Sequence, residues 1–275
     1  MDFRSLNPAE NLKKYVSKGK RPDDRDFFTS RPISVNVGSI TTAYGSSVVK
    51  VGNSVVVCGI KGEFCLPTGE NFDRGYVVPN VEFSPVCSPV CYPSATCEQA
   101  HVVTAILVDL LKSSNLVNLE ELCIVKDKLA WVLYCDLVCL DDSGSILDVS
   151  VIALLAALAN VRLPYAYIDA ETELGRIRSD KEGSKLTLGC FPVATTFGIF
   201  DSDILMDPDY TEEAACDSFI TYLCDLTGKL YGCHKPGGSP FPVSSLQQLI
   251  DASTRRANSI KQLIDSVESG NKLNN

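Results

Sequence analysis

LAWVLYCDLVCLDDSGSILDVSVIALLAALAN, residues 129–160, decides the fold. Leu129–Leu140 is nearly continuously apolar, the pattern of a strand inside a core. Asp142-Ser143-Gly144 then turns the chain into Ile146–Leu147, which reads as a buried hairpin. Asp148 stands where it would cap an apolar helix over residues 149–160, and Pro164 lies shortly beyond, as helix stops often do. Apolar strands followed by an apolar helix place this stretch in the middle of a layered core.

Upstream, Asn7-Pro8 with Glu10 gives a helix start, and Leu12, Tyr15 and Val16 form its apolar stripe. Ile33, Val35 and Val37 alternate with polar residues as in a half-buried strand. Turn signals at Tyr44-Gly45-Ser46 and Gly52-Asn53 flank Ser47–Val51 and Val55–Ile60, so an antiparallel meander is predicted. Residues 84–97 hold Pro85, Pro89 and Pro93 and read as a surface loop. From Glu98, apolar pairs at Val102/Val103, Ile106/Leu107 and Leu110/Leu111 predict a helix of about four turns.

Downstream, residues 165–190 are polar with little periodicity and form the expected boundary between two halves. Strands are predicted at 193–200, 203–207, 217–226 and 229–233. A long helix follows from Ser244, which with Gln247 fits a capping box; Leu246, Leu249, Ile250, Ile260, Leu263 and Ile264 supply its buried stripe. Each half reads as strands covered by helices, an α+β architecture. The surplus of apolar strands at Val55–Ile60 and Leu129–Leu140 suggests sheet edges that a partner would cover.

With 275 residues and 45% hydrophobic content, the chain can bury a large core unaided by metals or disulfides. Its longest apolar stretch, Val149 to Ala159, is far shorter than the ~20 residues of a spanning helix. The opening MDFRSLNPAENLKKY lacks the pattern of a secretory signal, so the protein is expected to stay inside the cell and off the membrane. Twelve cysteines between Cys58 and Cys233 then read as reduced, buried small hydrophobes. A formal charge of −9 argues against a free-standing nucleic-acid binder.

Several clusters invite chemistry. Cys87-x3-Cys91-x5-Cys97-x3-His101 offers three thiolates and an imidazole, yet its first spacing fits no known finger and three prolines stiffen the loop, so loop cysteines and no metal are expected. Asp201, Asp203, Asp207, Asp209, Glu212, Glu213 and Asp217 crowd one segment; paired carboxylates hold magnesium or move protons, but composition favours a solvated acidic turn. The basic stretch Lys13, Lys14, Lys18, Lys20, Arg21 and Arg25 likewise reads as a solvated face. Lys235-Pro236-Gly237-Gly238-Ser239 lacks the spacing of a phosphate loop and reads as a plain turn. Only His101 and His234 are available as bases, which disfavours nucleophilic catalysis.

Arg21-Pro22-Asp23-Asp24-Arg25, Val37-Gly38-Ser39-Ile40, Tyr76-Val77-Val78-Pro79-Asn80-Val81, Trp131–Leu137, Ile146-Leu147-Asp148, Leu154–Leu158, Phe191-Pro192-Val193-Ala194, Asp207-Pro208 with Glu212-Glu213, and His234–Gly238 occur in an order that resembles the RNase PH family. Within it they are similar to ring subunits of the eukaryotic RNA exosome. Asp24 replaces the glycine usual in the RPDGR-like box, a residue that tolerates a left-handed turn. The resemblance implies an RNase PH-like fold of two βα layered halves. Its parts are an N-terminal helix and extension (1–30), a ribosomal protein S5 domain 2-like first half (31–165), a connecting segment (166–190), the RNase PH C-terminal half (191–268) and a polar tail (269–275).

Active members of the family cleave RNA with inorganic phosphate and hold that anion with arginines, because a dianion beside a phosphodiester needs compensation. One such arginine follows the Gly-Ser before the central helix; here Gly144-Ser145 is followed by Ile146 and Leu147, and no Lys or Arg occurs from Leu129 through Val161. Active members also carry arginines along the preceding helix, where Glu98–Leu111 has only His101 as a cation. Asp207 matches one catalytic aspartate, but Pro208 and Glu212-Glu213 follow the inactive pattern. An RNA-gripping arginine would fall near Gly62. The resemblance therefore implies a subunit without catalytic residues, metal or cofactor, with Lys61 and Arg74 as candidate RNA contacts. It further implies heterodimers within a six-member ring of RNase PH-like subunits, S1/KH-type cap subunits above it, RNA threading through, and residence in nucleus, nucleolus and cytoplasm. The rivals are an active phosphate-dependent exoribonuclease and a standalone zinc-binding module.

Overall fold

A computed structural model describes residues 8–67, 72–85, 87, 98–169, 175–178, 183–201, 203–240 and 245–271. The first sheet grows from the predicted meander. Strands β1 (Ile33–Val37), β2 (Gly45–Val51) and β3 (Ser54–Cys65) pair antiparallel in sequence order. β4 (Tyr76–Phe83) and the short β5 (Cys123–Val125) both join β6 (Leu129–Asp141), giving the order β1-β2-β3-β6-β4 with β5 beside β6. β6 lies antiparallel to β3 and parallel to β4.

Val55–Ile60 and Leu129–Leu140 therefore sit in interior strands, which corrects the expectation that they form edges. Their apolar character comes from being flanked on both sides. The edges are β1 and β4, and β4 is blunted: Pro79 brings no N–H, and Val81 N donates to Thr104 Oγ1 at 3.2 Å.

Over one face of this sheet lie α2 (Glu98–Ser114) and α3 (Ile146–Ala159). Every residue of α3 is buried, as a helix apolar all round must be. The helix begins at Ile146, so the predicted hairpin is not formed and Asp148 is no cap. Gly144 (φ 97°) and Ser145 (φ 52°) make the turn from strand to helix instead. A Cβ at Gly144 would stand 2.7 Å from Pro208 O, a close approach open only to glycine. Apolar periodicity alone does not separate a buried strand from the first turn of a buried helix, which explains the misreading.

The stretch 165–190, expected as a polar boundary of little periodicity, carries three short strands, and a fourth lies just before it. β7 (Arg162–Leu163) pairs with β10 (Ser184–Lys185), and β8 (Tyr165–Ile168) with β9 (Gly175–Arg178). Leu163, Ala166 and Leu186 join the main core, so this segment is tied down. The second sheet, ordered β12-β11-β13-β14, holds β11 (Val193–Phe200), β12 (Asp203–Met206), β13 (Ser218–Cys224) and β14 (Leu230–His234), all antiparallel. α5 (Leu246–Asn271) packs on it and takes in residues 269–271 of the stretch expected as a polar tail; Ser244 and residues 272–275 lie outside the described residues. The largest core cluster draws on both halves, from Val35 to Ile264.

The N-terminal helix α1 (Pro8–Val16) packs on the second half, not the first. Leu12 is buried with Phe200 and Leu205, and Met206 N donates to Phe27 O at 2.8 Å. Asp24 takes φ 62°, the left-handed turn that its place in the RPDDR box demands. The ten described cysteines are free, but only Cys58, Cys135, Cys139 and Cys224 are buried. Cys233 is exposed and the rest half-buried, so uniform burial was an over-reading. Among the described residues no helix is long and apolar enough to cross a membrane.

Candidate functional site

The N-terminal crossing carries Arg21, Arg25 and Arg31 over the end of β12, where Asp207 and the one-turn helix α4 (Tyr210–Glu213) meet the β6–α3 turn. Asp209 starts α4 with a capping box: Glu212 N donates to its Oδ1 at 2.8 Å, and Asp209 N to Glu212 Oε2 at 3.0 Å. That box fixes the Glu212 carboxylate toward Arg21. Arg21, wholly buried, grips it bidentately through Nε (2.8 Å) and Nη2, and also donates to Met206 O (2.7 Å) and Asp207 O (3.1 Å).

Asp207, also wholly buried, is held by Arg31, whose backbone N, Nε and Nη2 donate to its carboxylate at 2.8, 3.2 and 2.8 Å. The other Arg31 donations go to Ser143 O (2.7 Å) and Gly144 O (2.9 Å), pinning the turn before α3. Arg25 lies 3.8 Å from Asp207 and 3.6 Å from Glu212. Arg256, from α5, pairs with Asp148 in the first turn of α3 and lies 4.0 Å from Asp207. Asp148 also accepts from Thr196 N (3.0 Å) and Oγ1 (2.7 Å) on β11, so its carboxylate joins α3, α5 and the second sheet.

Burial alone pushes the Asp207 carboxyl up, but the Arg256 and Arg31 guanidinia overcome this and hold it well below the usual carboxylate range. Glu213 is the opposite case. Burial pushes it up to about 7, with Asp142 adding to the rise, against the lowering effect of the Ser145 N–H. That N–H, at the start of α3, donates to Glu213 Oε1 at 2.7 Å. A side-chain carboxylate thus occupies the anion position at the N-terminus of the central helix.

Two sequence expectations are corrected here. The basic stretch is not wholly a solvated face, since Arg21 and Arg25 are buried or nearly so, while Lys13 and Lys20 form exposed pairs with Asp201 and Asp24. Nor is the acidic segment a solvated turn, for Asp207 and Glu212 are sealed and Glu213 is half-buried. The two charge runs are each other's counter-ions, about 190 residues apart in sequence. The site also regains cations that residues 129–161 lack, through Arg31 and Arg256. Each of the four guanidinia has a carboxylate within 4.0 Å, so the positive charge is committed inside the protein.

Above this network opens a cleft of about 780 Å³ whose charged lining is Asp23, Arg25, Arg31, Asp142 and Asp209. Three carboxylates face two guanidinia there, a balance that disfavours a free dianion. Lys61 and Arg74 do not line it. Lys61 is exposed on β3 opposite Tyr134 of β6, and Arg74 precedes β4 at the rim of a separate hollow of about 340 Å³ with Asn115, Asn118 and Glu120. His101 is exposed on α2. Lys235 Nζ donates to Gly237 O at 2.6 Å, closing its glycine turn on itself. Cys91 and Cys97 lie outside the described residues, and among the described residues no three His, Cys, Asp or Glu side chains are grouped to hold a metal.

Two fused α+β layers, joined by an N-terminal crossing and with the Glu213 carboxyl at the start of the central helix, define a protein of the RNase PH fold class. Residues 29–164 match domain 1 of the 3′ exoribonuclease family and residues 190–256 match its domain 2. The chain belongs to the 3′ exoribonuclease family. It is 34% identical over 251 residues to the exosome complex component rrp43 of Schizosaccharomyces pombe, covering 91% of this chain and 93% of that one. It is 32% identical over 249 residues to the exosome complex component Rrp42 of Pyrococcus abyssi, covering 90% of each. Among solved structures, a chain of the Archaeoglobus fulgidus exosome with RNA bound to the active site superposes with a TM-score of 0.83 and 27% identity. That match covers 95% of this chain and 99% of that one.

Proposed function

We propose that the chain is a noncatalytic ring subunit of an RNA exosome core, contributing heterodimer interfaces and part of an RNA path in 3′-to-5′ processing and decay. The observation that carries this reading is the Glu213 carboxylate on Ser145 N–H, where active members of the family hold inorganic phosphate. The Glu213 carboxyl already takes that N–H and fills the position, and each guanidinium of the network has a carboxylate within 4.0 Å. Asp207, aligned with a catalytic aspartate, is spent on Arg31 and Arg256 and takes no part in proton transfer or metal binding.

The likeness to rrp43 and Rrp42 supports membership of such a core, with other RNase PH-like subunits as lateral neighbours and S1/KH-type subunits as caps. Lys61 and Arg74 are proposed to touch RNA, because both are exposed cations outside the buried ion-pair network, Arg74 with a long contact to Asp73 at 3.9 Å. The proposed locations are nucleus, nucleolus and cytoplasm. The test is phosphate-dependent release of nucleoside diphosphates from a single-stranded RNA by the purified chain. No release above background is expected. Release that is abolished by Asp207→Asn would overturn the reading.

A further inference from the structure

The β8–β9 ribbon presents a face that the ion-pair network leaves unexplained. In its register Tyr165 stands opposite Arg178 and Tyr167 opposite Arg176, while Ala166 and Gly175 belong to the other side. Directly opposed residues of an antiparallel pair share a face. On that other side Ala166 is buried in the main core and a Cβ at Gly175 would stand 2.9 Å from Leu129, while Ile177, opposite Ala166, is 43% exposed. The two tyrosines and two arginines share the opposite face, on which Tyr167 is half-buried. Tyr165 is 45% exposed, and Arg176 and Arg178 are exposed as well.

A ribbon that only covered the core would turn short polar residues outward. This one alternates flat rings with guanidinia, in a chain whose formal charge is −9. The Arg178 guanidinium lies 5.5 Å from the centre of the Tyr167 ring, which holds both planes in place. Arg176 is paired with Asp169 at 3.0 Å, but at 55% side-chain exposure that contact is weak and yields to a better anion.

We propose that this Tyr165–Tyr167–Arg176–Arg178 face is a second binding site for single-stranded RNA, in which bases stack on the tyrosines and phosphates pair with the arginines. Of the polyanions available, an acidic peptide satisfies the guanidinia alone. A single-stranded nucleic acid supplies both charges and stackable rings. The inference takes from the proposed function only the nature of the polymer, and its test does not depend on ring assembly or on the absence of phosphorolysis.

Binding of a fluorescein-labelled oligouridylate to the purified full-length chain is followed by anisotropy over a salt series. Three double variants are compared: Arg176→Glu/Arg178→Glu, Tyr165→Leu/Tyr167→Leu, and Lys112→Glu/Lys128→Glu as a control of equal charge change elsewhere. The arginine variant should lower the slope of log affinity against log salt by about 1.4, two phosphate contacts at ~0.7 each. The tyrosine variant should weaken binding roughly five- to a hundred-fold with the slope kept, and the control should leave the hairpin contribution intact. Melting temperatures within a few degrees of wild type, as expected for surface changes, establish that each variant is folded. Equal affinity of wild type and both hairpin variants overturns the proposal, as does a wild-type chain with no measurable binding. A polyglutamate peptide that competes as well as RNA, with the tyrosine variant unaffected, overturns it in favour of an acidic protein partner.

Discussion

Removing the Arg21 guanidinium tests whether the N-terminal crossing is locked by charge. In Arg21→Met the Glu212 carboxylate, 1% exposed, loses its bidentate partner, and Met206 O loses its donor. Arg25, at 3.6 Å, and the Asp209 N–H remain but do not replace it. Breaking a buried pair by deleting one partner costs about 3–5 kcal/mol. For a chain of this size each kcal/mol lowers the melting temperature by roughly 2–4 °C, so a fall of about 6–20 °C is expected in thermal unfolding followed by circular dichroism. The double variant Arg21→Met/Glu212→Leu should melt closer to wild type than Arg21→Met, because it removes the stranded carboxylate. A single variant within about 3 °C of wild type, or a double variant worse than the single, refutes the lock.

Other outcomes follow from the same geometry. The Glu213 carboxyl is raised from 4.5 to about 7 in the fold, so the folded state keeps a proton that the unfolded chain has released. That group takes stability away as pH rises through this window, and Glu213→Gln should flatten the fall; equal slopes of melting temperature against pH would contradict it. Buried Cys135, pushed up to about 12 by desolvation, should resist iodoacetamide while exposed Cys233 is alkylated first. Mass spectrometry finding both modified at similar rates would count against the burial described. Lys61→Glu and Arg74→Glu should weaken RNA retention by an assembled particle without altering its mass; unchanged retention removes them as contacts.

Strand alternation at Ile33–Val37, the meander turns and the helix stripe from Glu98 were legible because each reports local burial. The start of α3 was not, because Ile146-Leu147 is as apolar as the strand before it and the turn depends on φ values at Gly144 and Ser145. The site was legible in what it lacks, the absent arginine after Gly144-Ser145. It was illegible in what it contains. Composition treats Lys13–Arg25 and Asp201–Asp217 as two solvated runs, since nothing local says that Arg21 will meet Glu212. One signal was available: the resemblance quoted both boxes, and arginines and carboxylates of one motif set are candidates for one another. The β8–β9 ribbon was missed because four-residue strands in a polar stretch give too short a period to recognise.

The central claim, that this chain acts as an inactive member of a ring, is tested most directly by native mass spectrometry of the chain co-expressed with RNase PH-like subunits of its source. The expected species is a hetero-oligomer in which this chain is paired with a different subunit and which releases no nucleoside diphosphate through the Asp207 site. A chain that stays a lone 29.8 kDa species in the presence of every candidate partner would contradict it.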